Sequence, residues 1–326
     1  MTKNTILLFF LILMCLVSTA QSAEKYEYVM RTVGSHADEV LGVFVNEDDT
    51  KVATCSLDET IKIWSIPDGK ELVTMKGHLG AVNNLSFSGN DSLIASASSD
   101  QTVRIWNVYT GKQVSVLKGH TDQVIGVYFS QDAKSELVAS ASFDKTIKLW
   151  DRVSGTELKT LRGHKEACNN VAYSYDGKYL ASCGDDKVIY IWSADPKNES
   201  PMKMLTGHNA PILTVLYSFD SKYLASADQE GVIKIWAMPE GTLLQTIKAH
   251  TELIQDVSFA CDNQTLVSAS LDKTVKLWNI LTGANLMTMV IDSEIWGVDL
   301  TCDTKTIVLG CADGTVRFLT KKEGKK

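Results

Sequence analysis

GHLGAVNNLSFSGNDSLIASASSDQTVRIWNVYTGKQVSVLK, residues 77–118, holds four short apolar or alternating segments: AVNNLSF, SLIASAS, TVRIWNV and KQVSVLK. Turn chemistry separates them, as in SGND, SSDQ and YTG. Segments of about five residues with period-two patterning read as strands, and four in succession suit one antiparallel sheet. A lone four-stranded sheet cannot bury both of its faces. Stacked against copies of itself in a ring it can, and only short edges then stay open.

The unit recurs along the chain. All six histidines fall on one beat, at 36, 78, 120, 164, 208 and 250, spaced 42, 42, 44, 44 and 42 residues apart. Six of the seven tryptophans follow 28 or 30 residues behind, at 64, 106, 150, 192, 236 and 278. The two-residue excesses are local: SQDAKSELVAS stands against SGNDSLIAS, and SADPKNESP against NVYTGKQ. Self-similarity at a fixed period of this length marks a repeat architecture.

With Gly-His at 77–78, 119–120, 163–164 and 207–208, the variants Ser-His at 35–36 and Ala-His at 249–250, and a strand ending in Trp, the chain resembles the WD-repeat β-propeller family over about residues 24–320. The resemblance implies an all-β propeller. A seventh unit is degenerate but in register: CADGTVRFL aligns with CSLDETIKIW, so Asp313 matches Asp58, Leu319 takes the Trp place and Ile291 the His place. Counting gives seven blades. The seventh lacks an outermost strand at its C-terminal end, and residues 24–33 stand in the right phase to supply it by pairing with 314–320. Closure of this kind removes two exposed sheet edges.

Four units carry His, Ser, Asp and Trp at matched places: His36/Ser56/Asp58/Trp64, His78/Ser98/Asp100/Trp106, His120/Ser142/Asp144/Trp150 and His250/Ser270/Asp272/Trp278. His, Ser and Asp together suggest a hydrolase triad. A catalytic constellation, however, is single and open to substrate, whereas this one repeats. The family resemblance implies a buried hydrogen-bonded network instead, in which each polar group finds a partner. The pattern lapses in the fourth unit (Gly184 for Ser), the fifth (Asp228 and Glu230 for Ser and Asp) and the seventh, which makes the fifth and seventh the softest blades expected. No His or Cys pair stands at metal-ligand spacing and no phosphate-loop signature occurs, so no metal or cofactor is expected.

Ile6 to Val17 is an unbroken apolar run followed by small residues, which reads as a signal peptide over 1–22, with cleavage after Ala20 or Ser22. The expected location is exported, secreted or periplasmic, with an uncleaved membrane anchor as the alternative. A short basic tail covers 321–326. The chain has net charge −7 and no other basic segment, which argues against nucleic acid and anionic lipid as partners. Cys15 leaves with the leader. The other six cysteines sit at scattered places in the repeat, so buried, unpaired thiols are expected. Asn90, Asn198 and Asn263 each begin an N-x-S/T triplet in a loop.

The loops before the first strand and between the second and third open on one face, the top. Three places per blade point there: three after the His, five after it, and just before the turn Asp. Across the seven blades none is Lys or Arg, and the only charges are Glu39, Asp185 and Glu294. A reader of phosphorylated peptides needs Arg forks there. This set suits an apolar or mildly basic partner segment. Trp296, Phe143, Ile125, Leu57, Leu271, Leu213 and Leu41 are the expected anchors, and Asn83, Asn169, Asp185 and Gln255 the polar selectors. Trp296, the one tryptophan outside the pattern, lies five after the missing His. The expected protein is a monomeric, non-catalytic scaffold for a protein or peptide partner. Two rivals are an enzyme or small-ligand binder using the central channel, and an intracellular or membrane-anchored adaptor.

Overall fold

A computed structural model describes residues 27–131, 136–198 and 200–322. They form seven four-stranded antiparallel sheets, and no helix occurs among the described residues. Blade 2 is representative: Val82–Phe87 innermost, then Leu93–Ser98, Thr102–Asn107 and Gln113–Lys118 outermost. Six blades are consecutive in the chain. The seventh orders Ile295–Leu300, Thr306–Cys311, Thr315–Lys321 and, from the other end of the chain, Tyr28–Ser35.

The closing register runs from Tyr28 opposite Lys321 to Ser35 opposite Thr315. The described strand therefore extends two residues beyond the expected 24–33. Lys321 ends its partner strand, so it belongs to blade 7 and not to the tail. The leader, 1–22, and residues 323–326 of the tail lie outside the described residues.

The core sits between blades. Ala95, Ala97, Val103 and Ile105 of blade 2 cluster with Val124, Val127, Phe129, Val138 and Trp150 of blade 3. Each patterned Trp thus covers the sheet before it. Trp106 of blade 2 packs on Ala53, Ile61 and Ile63 of blade 1, and Trp278 of blade 6 on Ala225, Ile233 and Ile235 of blade 5. The same arrangement closes the ring, where Trp64 and the blade 1 valines meet Val308, Val316 and Phe318 of blade 7. Second strands such as LIASAS read as small residues because they lie in mid-blade with sheets stacked on both sides, and Ala95 and Ala97 are fully buried. Innermost strands crowd round the axis. A Cβ on Gly126 would come within 2.9 Å of the Asn170 Cα in the next blade, so only glycine allows that approach.

Candidate functional site

Three strands bring the repeated polar residues together. In blade 3 the Nδ1–H of His120 donates to Asp144 at 2.7 Å, the Ser140 hydroxyl donates to Nε2 at 2.8 Å, and the indole N–H of Trp150 donates to that same hydroxyl at 2.8 Å. The tautomer follows from these partners: a carboxylate only accepts, and an indole only donates. Blades 2, 4 and 6 repeat the chain of bonds through Ser96, Ser182 and Ser268, and blade 1 through Thr54.

This corrects the expected network in one respect. The hydroxyl shared by His and Trp lies two residues before Ser56, Ser98, Ser142 and Ser270. The expected sets group Trp106 with Ser98 and Trp278 with Ser270. In the structure the Trp106 indole donates to Ser96 at 2.8 Å, and the Trp278 indole to Ser268 at 2.9 Å. Trp64 likewise takes Thr54 in place of Ser56, and Trp150 takes Ser140 in place of Ser142. Both Trp106 and Trp278 are buried among apolar side chains, so they are core residues with one internal polar bond and belong to no accessible site. The four expected serines instead cap the turn. Ser142, for example, donates to the Asp122 carbonyl and accepts from the Asp144 amide. Residues two apart in a strand face the same side, so sequence periodicity could not choose between them.

Blade 5 is corrected too. Asp228, at the turn-capping place, accepts from His208 at 2.6 Å, while Ser226 bonds both His208 and Trp236. The network there is complete, and so is that of blade 4 despite Gly184. Blade 7 has no such chain: Ile291 and Leu319 are buried in the His and Trp places, and Arg317 pairs with Asp292 and Asp313 near the rim.

The six His side chains are at most 1% exposed. Burial pushes His250 down to about 4 and lowers His36, and their Asp partners only partly offset this. For Asp100 and Asp144 burial opposes ionisation, but bonds from His and Thr and a backbone N–H outweigh it, and both carboxyls fall well below the usual range. Inaccessible imidazoles locked between carboxylate and hydroxyl build framework.

The expected partner-contact residues divide by place. Leu41, Asn83, Ile125, Asn169, Leu213, Gln255 and Trp296 all line the central channel. They form its upper mouth, further inward than an outer face. Leu57 and Phe143 stand outside that mouth, each 37% exposed, with Leu271 half-buried. Asn169 is buried, and its amide bonds Asp185 and the Ile212 carbonyl of blade 5. Asn83 likewise reaches Ser99 and the Val124 carbonyl of blade 3. Both asparagines stitch neighbouring blades, and Asn169 has little surface left with which to select a partner. Trp296 is half-buried, and among the described residues its indole N–H has no partner in hydrogen-bonding geometry. Burial, with Asp38 and Glu294 nearby, raises the Glu39 carboxyl, and Trp296 eases it slightly.

Among protein families, the model described as WD domain, G-beta repeat, matches residues 28–65, 69–107, 111–151, 155–193, 199–237 and 241–279. The chain is a WD-repeat protein. Propellers of this family generally serve as protein-interaction scaffolds and are typically non-catalytic. No curated protein matches the chain as a relative.

Two further features of this WD-repeat propeller lie on the bottom. Cys261 and Cys302 form a disulfide, with Cα atoms 4.8 Å apart, between the first turns of blades 6 and 7. That overturns the expectation of unpaired thiols for this pair, because equivalent turns of adjacent blades converge near the axis. Cys55, Cys168, Cys183 and Cys311 are free and buried. Asn90, Asn198 and Asn263 also lie in bottom turns, away from the mouth. Asp256 and Asp299, which the repeat did not single out, stand on the channel wall.

Proposed function

We propose that the protein is an exported, non-catalytic scaffold that captures a partner protein on its top face. The segment it takes is apolar or mildly basic, not phosphorylated. The observation that carries this reading is the make-up of the mouth. Leu41, Ile125, Leu213 and Trp296 ring it, Leu57, Phe143 and Leu271 stand outside, and the only charges at the expected contact places are acidic: Glu39, Asp185 and Glu294. Large apolar side chains on an accessible rim suit an interface. Lysines do occur in the nearby turns, but Lys145 is tied to Glu166 and the Lys165 carbonyl, and Lys187 to the Asn209 carbonyl. Export is supported by the leader-like N-terminus and by the disulfide, a bond characteristic of oxidising compartments.

The test is cross-linking capture from the source organism with wild type and with Trp296→Ala. Truncating a central tryptophan anchor costs more than about 2 kcal/mol, a loss of roughly 30-fold in affinity. Equal capture of the same partner by both proteins refutes the face assignment. N-terminal sequencing of the native protein tests export.

A further inference from the structure

The central channel holds a cavity of about 130 Å³. Its chemistry is one-sided. Among the described residues no Lys, Arg or His lines it, whereas Asp256, Asp299, Glu47, Asp49 and Asp91 do. Among the described residues none of these five forms an ion pair.

Two of them are set into the wall. Asp256 accepts the Val298 amide of blade 7, and Asp299 accepts the Val45 amide of blade 1 at 2.7 Å. Backbone amides orient both carboxyls but do not neutralise them. Burial pushes Asp299 up to about 6, with Asp49 adding to the rise, and raises Asp256 as well.

A second observation is independent of these acids. The Tyr128 side chain is buried, 4% exposed, and among the described residues its hydroxyl has no partner in hydrogen-bonding geometry. Its ring lies 5.9 Å from that of Phe44. Tyr128 belongs to blade 3 and Phe44 to blade 1, with blade 2 between, so the rings can meet only across the channel. Burial raises the Tyr128 phenol, the Tyr175 hydroxyl eases it and the Asp299 carboxyl adds to the rise; Tyr128, Tyr175, Asp256 and Asp299 all line the same cavity. A buried hydroxyl with no partner is costly, and a buried carboxylate without a cation costs more.

We infer that the channel is a binding site for a small organic ammonium ion with a compact apolar body. Its N–H groups donate to Asp299, to the Tyr128 oxygen and to Asp256. Its apolar part lies against Phe44 and the Tyr128 ring, where a cation is attracted by the ring face. An anion meets only repulsion there, and a purely apolar molecule leaves the hydroxyl and the carboxyls unpaired.

Benzylamine is the probe, followed by calorimetry and by the shift in melting temperature at pH 7.5, with benzyl alcohol as the neutral counterpart. The expected result is saturable benzylamine binding at least tenfold tighter than that of benzyl alcohol. Asp299→Asn weakens it at least tenfold, and Tyr128→Phe weakens it less. Affinity in the wild type falls as pH drops below about 6, where Asp299 takes up a proton. The groups facing Asp299 are Asp256, Asp49, Tyr128 and Tyr175, none of them basic. No saturable binding, equal binding of the alcohol, or a pH-independent affinity overturns the inference. Should Asp299→Asn fail to fold, Tyr128→Phe and the wild-type pH profile still decide it.

Discussion

Ser140→Ala separates the two serines that the repeat offers as the heart of the network. Ser140 is fully buried, and its oxygen serves two partners: it donates to His120 Nε2 and accepts from Trp150 Nε1, each at 2.8 Å. Alanine leaves a ring nitrogen and an indole N–H orphaned where no water reaches. Each buried unsatisfied group costs about 1–3 kcal/mol, so the loss is about 2–6 kcal/mol. Ser142 is as fully buried as Ser140, but its partners, the Asp122 carbonyl and the Asp144 amide, belong to an exposed and a half-buried turn residue that water can serve, so Ser142→Ala is expected to cost only about 0.5–1.5 kcal/mol. Ser140→Thr keeps the hydroxyl that Thr54 supplies at this place in blade 1, and should retain most of the stability. The assay is urea unfolding, comparing midpoints at unchanged slope. A Ser142→Ala variant as destabilised as Ser140→Ala refutes the assignment of the shared hydroxyl.

Two further outcomes follow from the same geometry. His250 titrates near 4 when folded and near 6.5 when unfolded, so the unfolded chain binds more protons and stability is lost as pH falls from about 6.5 towards 4, by about 2 kcal/mol at pH 5. Asp299, raised to about 6, acts in the opposite sense. Its penalty is present above that value and is relieved as pH falls towards 3.9, about 1 kcal/mol by pH 5. Urea titrations at pH 7 and 5 should therefore show a steeper acid loss in Asp299→Asn than in wild type, and equal slopes sink the argument. Opening the Cys261–Cys302 bridge frees a loop with a sequence separation of 41, worth about 4 kcal/mol in the chain-entropy account. Reductant should lower the unfolding midpoint of wild type and leave that of Cys261→Ser unchanged.

Much of the architecture was legible because the six histidines and six tryptophans keep one beat, and a beat of that length fixes blade count and strand order together. Blade closure was legible because Tyr28–Ser35 keeps the phase of the other outermost strands. The shared hydroxyl was not, since Ser140 and Ser142 face the same way and only three-dimensional reach separates them. The same ambiguity hid the true partners of Trp106 and Trp278. Asp228 was missed because a carboxylate at a turn-capping place reads as a lost serine until its distance to His208 is known. The disulfide carried a usable signal: Cys261 and Cys302 hold the same turn place in adjacent repeats. Asp256 and Asp299 left none, because their environment is made by blades remote in sequence. Trp296 was placed correctly in phase, but phase alone did not show that five-after residues form a channel mouth.

Closure of the ring by Tyr28–Ser35 also sets how the molecule responds to force. Tyr28 and Lys321 face each other at one end of an antiparallel pair. Tension applied through the two ends of the chain loads the hydrogen bonds of that seam one after another, as a zipper opens, instead of shearing them all at once. Residues 27 and 322 both lie at the bottom of blade 7, where the Tyr28 hydroxyl donates to the Thr304 carbonyl. A pull between residues 27 and 322 therefore undoes first the blade that lacks the histidine–tryptophan lock.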